Sequence, residues 1–142
     1  MKRFHGLRIL AVMPKDPDGH ILAQIAARAK WYLEFARSYE SARELAARHE
    51  FAIILCDRDL PLVASWREAI PEFASLAPDS RIMLTSPVND DHLWQEVIQR
   101  GGYDVLTKPF KEERVVRSIN FAWSSANNSF SNRIQDQFGS SF

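Results

Sequence analysis

Apolar and polar residues follow one another along the chain in blocks that predict strands and helices in alternation. Short apolar runs bounded by charges, glycine or proline predict strands. Segments with apolar residues three and four positions apart predict amphipathic helices. This alternation is typical of a doubly wound α/β domain with a parallel sheet. The predicted strands cover residues 7–13, 31–36, 52–56, 81–86 and 104–107.

Residue types at the segment ends predict where the helices begin and stop. Asp18 is the expected N-cap of the first helix, and Ser41 with Glu44 fits a capping box for the second. We expect Pro71 to kink or divide the third helix. A pair of glycines that begins at Gly101 ends the fourth. The predicted helices cover residues 19–30, 41–49, 63–76, 89–100 with Asn89 as cap, and 111–123.

Length and composition favour one globular domain of an ordinary kind. The 142 residues carry 18 basic and 18 acidic side chains, so the charge balance argues against nucleic acid as a partner. The single cysteine excludes an internal disulfide, and the N-terminal apolar run is too short for a signal peptide or a membrane span. We therefore expect a cytoplasmic protein without a membrane partner, with a domain over residues 1–124 and a flexible polar tail over residues 125–142.

Polar side chains stand where three of the predicted strands end. Asp57 follows the third strand, Thr85 and Ser86 close the fourth, and Lys108 follows the fifth. Ligand crevices of open α/β sheets lie at the carboxyl ends of the strands, so these side chains are expected to converge. A carboxylate beside an ammonium group and a hydroxyl suits phosphoryl transfer to the carboxylate. The alternative is a structural pair of Asp57 and Lys108 at a loop surface.

Three segments carry a resemblance to a known family. ILCDRDLP, IMLTS and GGYDVLTKPF resemble the signature segments of the receiver domain of bacterial two-component response regulators, over about residues 7–123. The resemblance implies a flavodoxin-like, five-stranded parallel sheet of order 2-1-3-4-5 with helices on both faces. It also implies that Asp57 is the phosphoacceptor, that Thr85 and Lys108 contact the phosphoryl group, and that Ser86 occupies a small position that leaves access to it.

The chain departs from the family at the end of its first strand. The family has an acidic pair there that, with the phosphoacceptor, holds a magnesium ion, but this chain has Met13 and Pro14. Neither side chain supplies the hard oxygen ligands that magnesium requires. We therefore expect weak magnesium dependence and slow phosphorylation. The carboxylates left as replacement ligands are Asp59, which would act with Asp57, and Asp16 and Asp18.

Two further features concern signalling and binding. Val105 stands where the family often has an aromatic residue whose rotation reports phosphorylation, and Tyr103 is not expected to replace it. Trp66, Trp94 and Trp123 are interpreted as packing residues; the alternative is an interface role.

Three functions are weighed against these observations. The first is a stand-alone, single-domain receiver in a phosphorelay, not an enzyme, phosphorylated by a histidine kinase or a phosphotransfer protein. It would act on a downstream protein and dimerise through its last two helices. The second is a phosphorylation-independent scaffold with the same fold. The third is a flavodoxin-like enzyme or nucleotide binder, which would need a glycine-rich loop after the first strand. Residues 13–20 contain one glycine.

Overall fold

A parallel five-stranded sheet forms the centre of the protein. The computed structural model describes residues 6–14, 16–59 and 65–124. The sheet has the order β2-β1-β3-β4-β5, and every neighbouring pair is parallel. The predicted fold class and strand order are therefore confirmed. The strands are β1 (Arg8–Val12), β2 (Tyr32–Ala36), β3 (Ile53–Asp57), β4 (Arg81–Ser86) and β5 (Asp104–Thr107).

Helices cover both faces of this sheet and create two apolar cores. One core packs α2, α3 and α4 against the sheet, and the other packs α1 and α5 against the opposite face. The central strand β3 is buried along its whole length because both faces are covered. The helices are α1 (Pro17–Ala29), α2 (Tyr39–Arg48), α3 (Trp66–Leu76), α4 (Asp91–Gln99) and α5 (residues 112–124).

The first helix begins earlier than predicted. Asp16, and not Asp18, is its N-cap, because the Oδ1 atom of Asp16 accepts a hydrogen bond of 2.9 Å from the backbone N–H of Gly19. Pro17 takes the first helical position, where its missing N–H costs nothing and its fixed φ suits the helix. Asp18 instead lies in the first turn, where its charge interacts favourably with the helix dipole.

The caps of α2 and α4 also differ from the prediction. Ser38 caps α2, with its side chain accepting from the N–H of Ser41 at 3.0 Å. Asp90 caps α4 in place of Asn89, accepting from the N–H of Leu93 at 2.8 Å. In both cases the observed cap has a side-chain oxygen and lies close in sequence to the predicted one. Its extended backbone allows that oxygen to accept a hydrogen bond from an N–H of the first turn.

The third helix is not divided at Pro71, and the other predicted outcome, a kink at that residue, stays a prediction. Pro71 has no N–H to donate to the carbonyl oxygen of Arg67, four residues earlier. The guanidinium of Arg100 supplies the missing donor, since its Nη1 atom lies 3.1 Å from that oxygen. The helix therefore continues to Leu76. Residues 63 and 64 of the predicted helix lie outside the described residues, and Ser65 is the observed N-cap.

Helix α4 ends at the glycine pair, as predicted, since Gly101 has a φ of +102°, a conformation that L side chains rarely adopt.

The predicted tail, residues 125–142, lies outside the described residues. Within residues 6–14, 16–59 and 65–124, no helix has the length and apolar character needed to cross a bilayer.

Candidate functional site

Strand register brings the predicted polar residues together at one edge of the sheet. The Cα atoms of Asp57 and Thr85 are direct partners in the β3–β4 ladder. Lys108 is held next to them, because its backbone N–H donates to the carbonyl oxygen of Ser86 at 2.8 Å. Three consecutive strands of the sheet therefore present a carboxylate, a hydroxyl and an ammonium group side by side.

Two of these groups bind the same oxygen of the Asp57 carboxylate. The Oγ1 hydroxyl of Thr85 donates to Oδ1 at 3.0 Å, and the Nζ ammonium of Lys108 donates to Oδ1 at 2.9 Å. Asp57 is only 3% exposed, and Thr85 is fully buried. In the part of the chain that the structure describes, no hydrogen bond reaches Oδ2. Oδ1 is thus held in place by two donors.

The ammonium of Lys108 stays protonated in this setting. Burial alone lowers its pKa, but the hydrogen bond and the charge of Asp57 raise it, with further raising by Asp18 and Asp16. The net result is a raised pKa. Lys108 therefore supplies a permanent positive charge at the Asp57 carboxylate.

Ser86 connects the site to the loop before α4. Its Oγ atom donates to the carbonyl oxygen of Val88 at 2.6 Å and accepts from the Val88 N–H at 3.1 Å. The side chain is buried and small. Its predicted role as an access position stays a prediction.

Arg58 is a neighbour of the site that the sequence analysis did not single out. Its Nη1 atom donates to the Ser86 Oγ atom at 3.4 Å, and its backbone N–H donates to the carbonyl oxygen of Thr85 at 2.9 Å. The available signal was its position directly after Asp57. That signal is weak, because successive residues of a strand normally point to opposite faces.

The residues at the end of β1 fit a magnesium ion poorly. Met13 is 2% exposed and lies in the apolar core under α1 and α5, and the Pro14 side chain offers no oxygen. The Oδ1 atom of Asp16 binds the start of α1. Asp59, the tentative ligand beside Asp57, is exposed in a turn. Across residues 6–14, 16–59 and 65–124, no three His, Cys, Asp or Glu side chains are grouped to hold a metal.

An exposed apolar surface lies next to the site. We call it the α4 face and define it by Val88, Trp94 and Ile98, which are 50%, 43% and 37% exposed. The packing interpretation is confirmed for Trp66, which is buried, and for Trp123, which packs on the core under α1 and α5. It is wrong for Trp94, since α4 turns Leu93 and Val97 toward the sheet instead. Val105, at the position of the aromatic reporter, is buried.

Solved structures with the same fold are receiver domains. The signal receiver domain of an HD domain-containing protein from Pseudomonas fluorescens Pf-5 matches with a TM-score of 0.80, 20% identity, and coverage of 92% of this chain and 96% of that one. A CheY-like response regulator receiver domain protein from Methanospirillum hungatei JF-1 matches with a TM-score of 0.74 and 19% identity. The match covers 87% of this chain and 98% of that one. The beryllofluoride-activated NtrC4 receiver domain dimer matches with a TM-score of 0.71 and 22% identity. The match covers 84% of this chain and 98% of that one.

Sequence comparison gives the family directly. A search of curated proteins found no match to this chain. The family model described as the response regulator receiver domain matches residues 1–120, which is most of the 142-residue sequence. The chain therefore belongs to the family of response regulator receiver domains.

Proposed function

We propose that this receiver domain accepts a phosphoryl group on Asp57 in two-component signalling. The observation that carries the proposal is the convergence of Thr85 Oγ1 and Lys108 Nζ on one oxygen of a buried carboxylate. Two donors on Oδ1 fix the orientation of the carboxylate, and Oδ2 is left to act as the nucleophile. A structural ion pair alone would not need the third group or the free oxygen.

The chemistry of the proposed step is simple. The Oδ2 atom of Asp57 attacks the phosphorus of the donor, and the bond from phosphorus to the leaving atom breaks with its electron pair on that atom. The product is an acyl phosphate. Lys108 neutralises part of the added charge, and the hydroxyl of Thr85 is free to donate to a phosphoryl oxygen instead of Oδ1.

The proposed partners follow from this step and from the α4 face. The phosphoryl donor is a phosphohistidine on a histidine kinase or a phosphotransfer protein, and the chain signals by binding, not as an enzyme. The α4 face is the proposed contact for a downstream protein or a second copy of this chain, with α5 beside it. The solved NtrC4 receiver domain is a dimer, which supports the second possibility. We place this signalling in the cytoplasm.

Magnesium has a small part in this proposal. Receiver domains typically bind it, but here Met13 and Pro14 replace the acidic pair, and Asp59 is the one carboxylate close in sequence to Asp57. We infer weak metal dependence and slow phosphorylation. One observation favours a second function, a scaffold that is never phosphorylated: Met13 is buried in an apolar core, so this position supplies no metal ligand.

Intact-mass spectrometry after incubation with acetyl phosphate tests the proposal. We expect an added phosphoryl mass on the wild-type chain and none on the Asp57→Asn variant, which keeps the size of the side chain. Circular dichroism of both proteins controls for folding. A folded wild-type protein that gains no mass, with or without magnesium, would favour the scaffold. A mass gain that persists in Asp57→Asn would place the acceptor elsewhere.

A further inference from the structure

Arg58 brings a positive charge to Ser86, at the end of the strand that also carries Thr85. Its guanidinium is half-buried and lies 3.4 Å from the hydroxyl of Ser86, the residue next to Thr85. Its main chain is fixed by the 2.9 Å hydrogen bond to the carbonyl oxygen of Thr85. The same two strands that place Asp57 and Thr85 therefore place Arg58, so its position is a property of the sheet register.

No carboxylate neutralises Arg58 in the part of the chain that is described. The ion pairs found there involve other arginines and Lys108. The loop that follows, residues 60–64, contains no acidic residue in the sequence. The side-chain hydrogen bond that Arg58 makes to a described residue is long and goes to a neutral oxygen. A phosphoryl oxygen would offer a shorter, charge-assisted bond, so exchanging partners is favourable.

The charge balance of the site points the same way. Phosphoryl transfer requires positive charge around the transferred group, and arginine, lysine or magnesium can supply it. Asp57 and Lys108 carry opposite charges, and Arg58 adds a second positive charge near them. A phosphoryl group on Asp57 carries a charge of about −2, which Lys108 and Arg58 together balance. Other negative charges near Lys108 are those of Asp16, which caps α1, and Asp18.

We propose that Arg58 binds the phosphoryl group at Asp57 and, with Lys108, supplies the charge that lets the transfer proceed without a divalent metal. This inference rests on the proposed function of Asp57. With acetyl phosphate, the bond from Oδ2 to phosphorus forms while the bond from phosphorus to the acetyl oxygen breaks, and acetate leaves with that electron pair. No electron is transferred to or from Arg58, and its guanidinium keeps its protons while donating to the phosphoryl oxygens. A planar guanidinium suits this role because it can donate two parallel hydrogen bonds.

The test measures the rate of phosphoryl incorporation from acetyl phosphate by intact mass, in EDTA and in magnesium. The variants are Arg58→Gln, Arg58→Lys, Arg58→Ala and Asp57→Asn. Arg48→Ala, an exposed arginine at the C-terminal end of α2, is the matched control. We expect the wild-type rate in EDTA to lie within about twofold of that in magnesium. Loss of one charged donor at a phosphoryl site should slow Arg58→Gln by about tenfold to a hundredfold.

Two further readouts separate phosphoryl binding from a structural role. Arg58→Lys should be labelled at a rate between those of the wild type and Arg58→Gln, because lysine keeps the positive charge but cannot donate two parallel hydrogen bonds. Added guanidinium chloride at low concentration should rescue Arg58→Ala, and sodium chloride at equal ionic strength should not. Arg48→Ala should label like the wild type.

The outcomes distinguish failure of this inference from failure of the proposed function. If Asp57 is labelled only when magnesium is present, or if Arg58→Gln labels as fast as the wild type in EDTA, the inference is overturned while Asp57 remains the acceptor. If the wild type is not labelled under either condition, or if Asp57→Asn is labelled, the proposed function itself fails. Equal melting temperatures of the variants would confirm that rates are compared between folded proteins.

Discussion

The Lys108 ammonium and the Asp57 carboxylate form an ion pair 2.9 Å long, with only 12% and 4% of their side chains exposed. Removing one partner of such a pair leaves an uncompensated charge in a poorly solvated place. We expect Lys108→Ala to lower the free energy of unfolding by about 3 kcal/mol. Urea denaturation at neutral pH measures the change.

The matched control for this prediction is the double variant Asp57→Asn, Lys108→Met, which removes both charges and keeps the side-chain volumes. It should recover most of the lost stability. A Lys108→Ala protein as stable as the wild type would mean that water already solvates the Asp57 carboxylate.

The same pair predicts how stability depends on alkaline pH. The raised pKa of Lys108 in the folded state means that its contribution is fully present below the pKa of an unfolded lysine, about 10.4. The contribution is lost as pH rises through the higher folded pKa. Unfolding free energy should therefore fall more steeply above about pH 10.4 in the wild type than in Asp57→Asn, where burial lowers the pKa of Lys108. If the unfolding free energies of the two proteins changed with pH in parallel, the proposed effect of Asp57 on the pKa of Lys108 would be refuted.

The hydrogen bond from Arg100 to the Arg67 carbonyl oxygen predicts a dependence on Pro71. Arg100→Ala removes the donor that replaces the missing N–H of Pro71, and we expect a loss of about 1 kcal/mol because the bond is solvent-exposed. In a Pro71→Ala background the new N–H satisfies that oxygen, so the same change should cost about half as much. Arg100→Ala also removes the ion pair with Glu96, but it does so in both backgrounds, so the ion pair does not contribute to the difference between the two costs. Equal costs, measured by urea denaturation, would contradict this account.

Cys56 should be unreactive in the folded protein. Burial first, and the charge of Asp57 second, raise the pKa of its thiol to about 12, while the thiolate is the reactive form. We expect Ellman's reagent at pH 8 to react at least about a hundredfold more slowly with the native protein than with the protein in urea. Asp57→Asn should leave the thiol slow, because burial remains. Rapid reaction of the native protein would show that the strand opens locally.

The α4 face predicts self-association through Trp94. Sedimentation equilibrium should show a dimer, and Trp94→Ser should weaken it by about 2 kcal/mol or more, about thirtyfold in Kd. Leu76→Ser is the matched control, since Leu76 is 40% exposed at the end of α3 against 43% for Trp94. A wild-type chain that stays monomeric at high concentration, phosphorylated or not, would refute the dimer and leave the face to another protein.

The strand order was predicted through the family resemblance, whereas the polar strand ends were accessible from the sequence itself because each depends on a strong local pattern. The buried run before Asp57 is typical of a central strand, and a doubly wound sheet brings the ends of neighbouring strands to the same edge. Thr85 and Lys108 were therefore identifiable as its companions. Their shared use of Oδ1 was not, because it depends on side-chain geometry at the level of single hydrogen bonds.

Other features required the packed structure. Asp16 and Asp18 both resemble caps, and the choice between them depends on the Pro17 backbone at the first helical position. Four apolar residues at positions 93, 94, 97 and 98 make a stripe wider than the sheet can cover, and only two of them are buried. The approach of Arg58 to Ser86 depends on β3–β4 register and on a long side chain's rotamer, and neither is written in local sequence.

The burial of Met13 has an evolutionary consequence. An acidic residue restored at this position by mutation would enter an apolar core and lose its solvation, at a cost of several kcal/mol. A single substitution therefore cannot return the site to a metal-binding state, because neighbouring core residues would first have to make a polar opening. This packing leaves Lys108 and, in our proposal, Arg58 as the sources of positive charge at the Asp57 carboxylate.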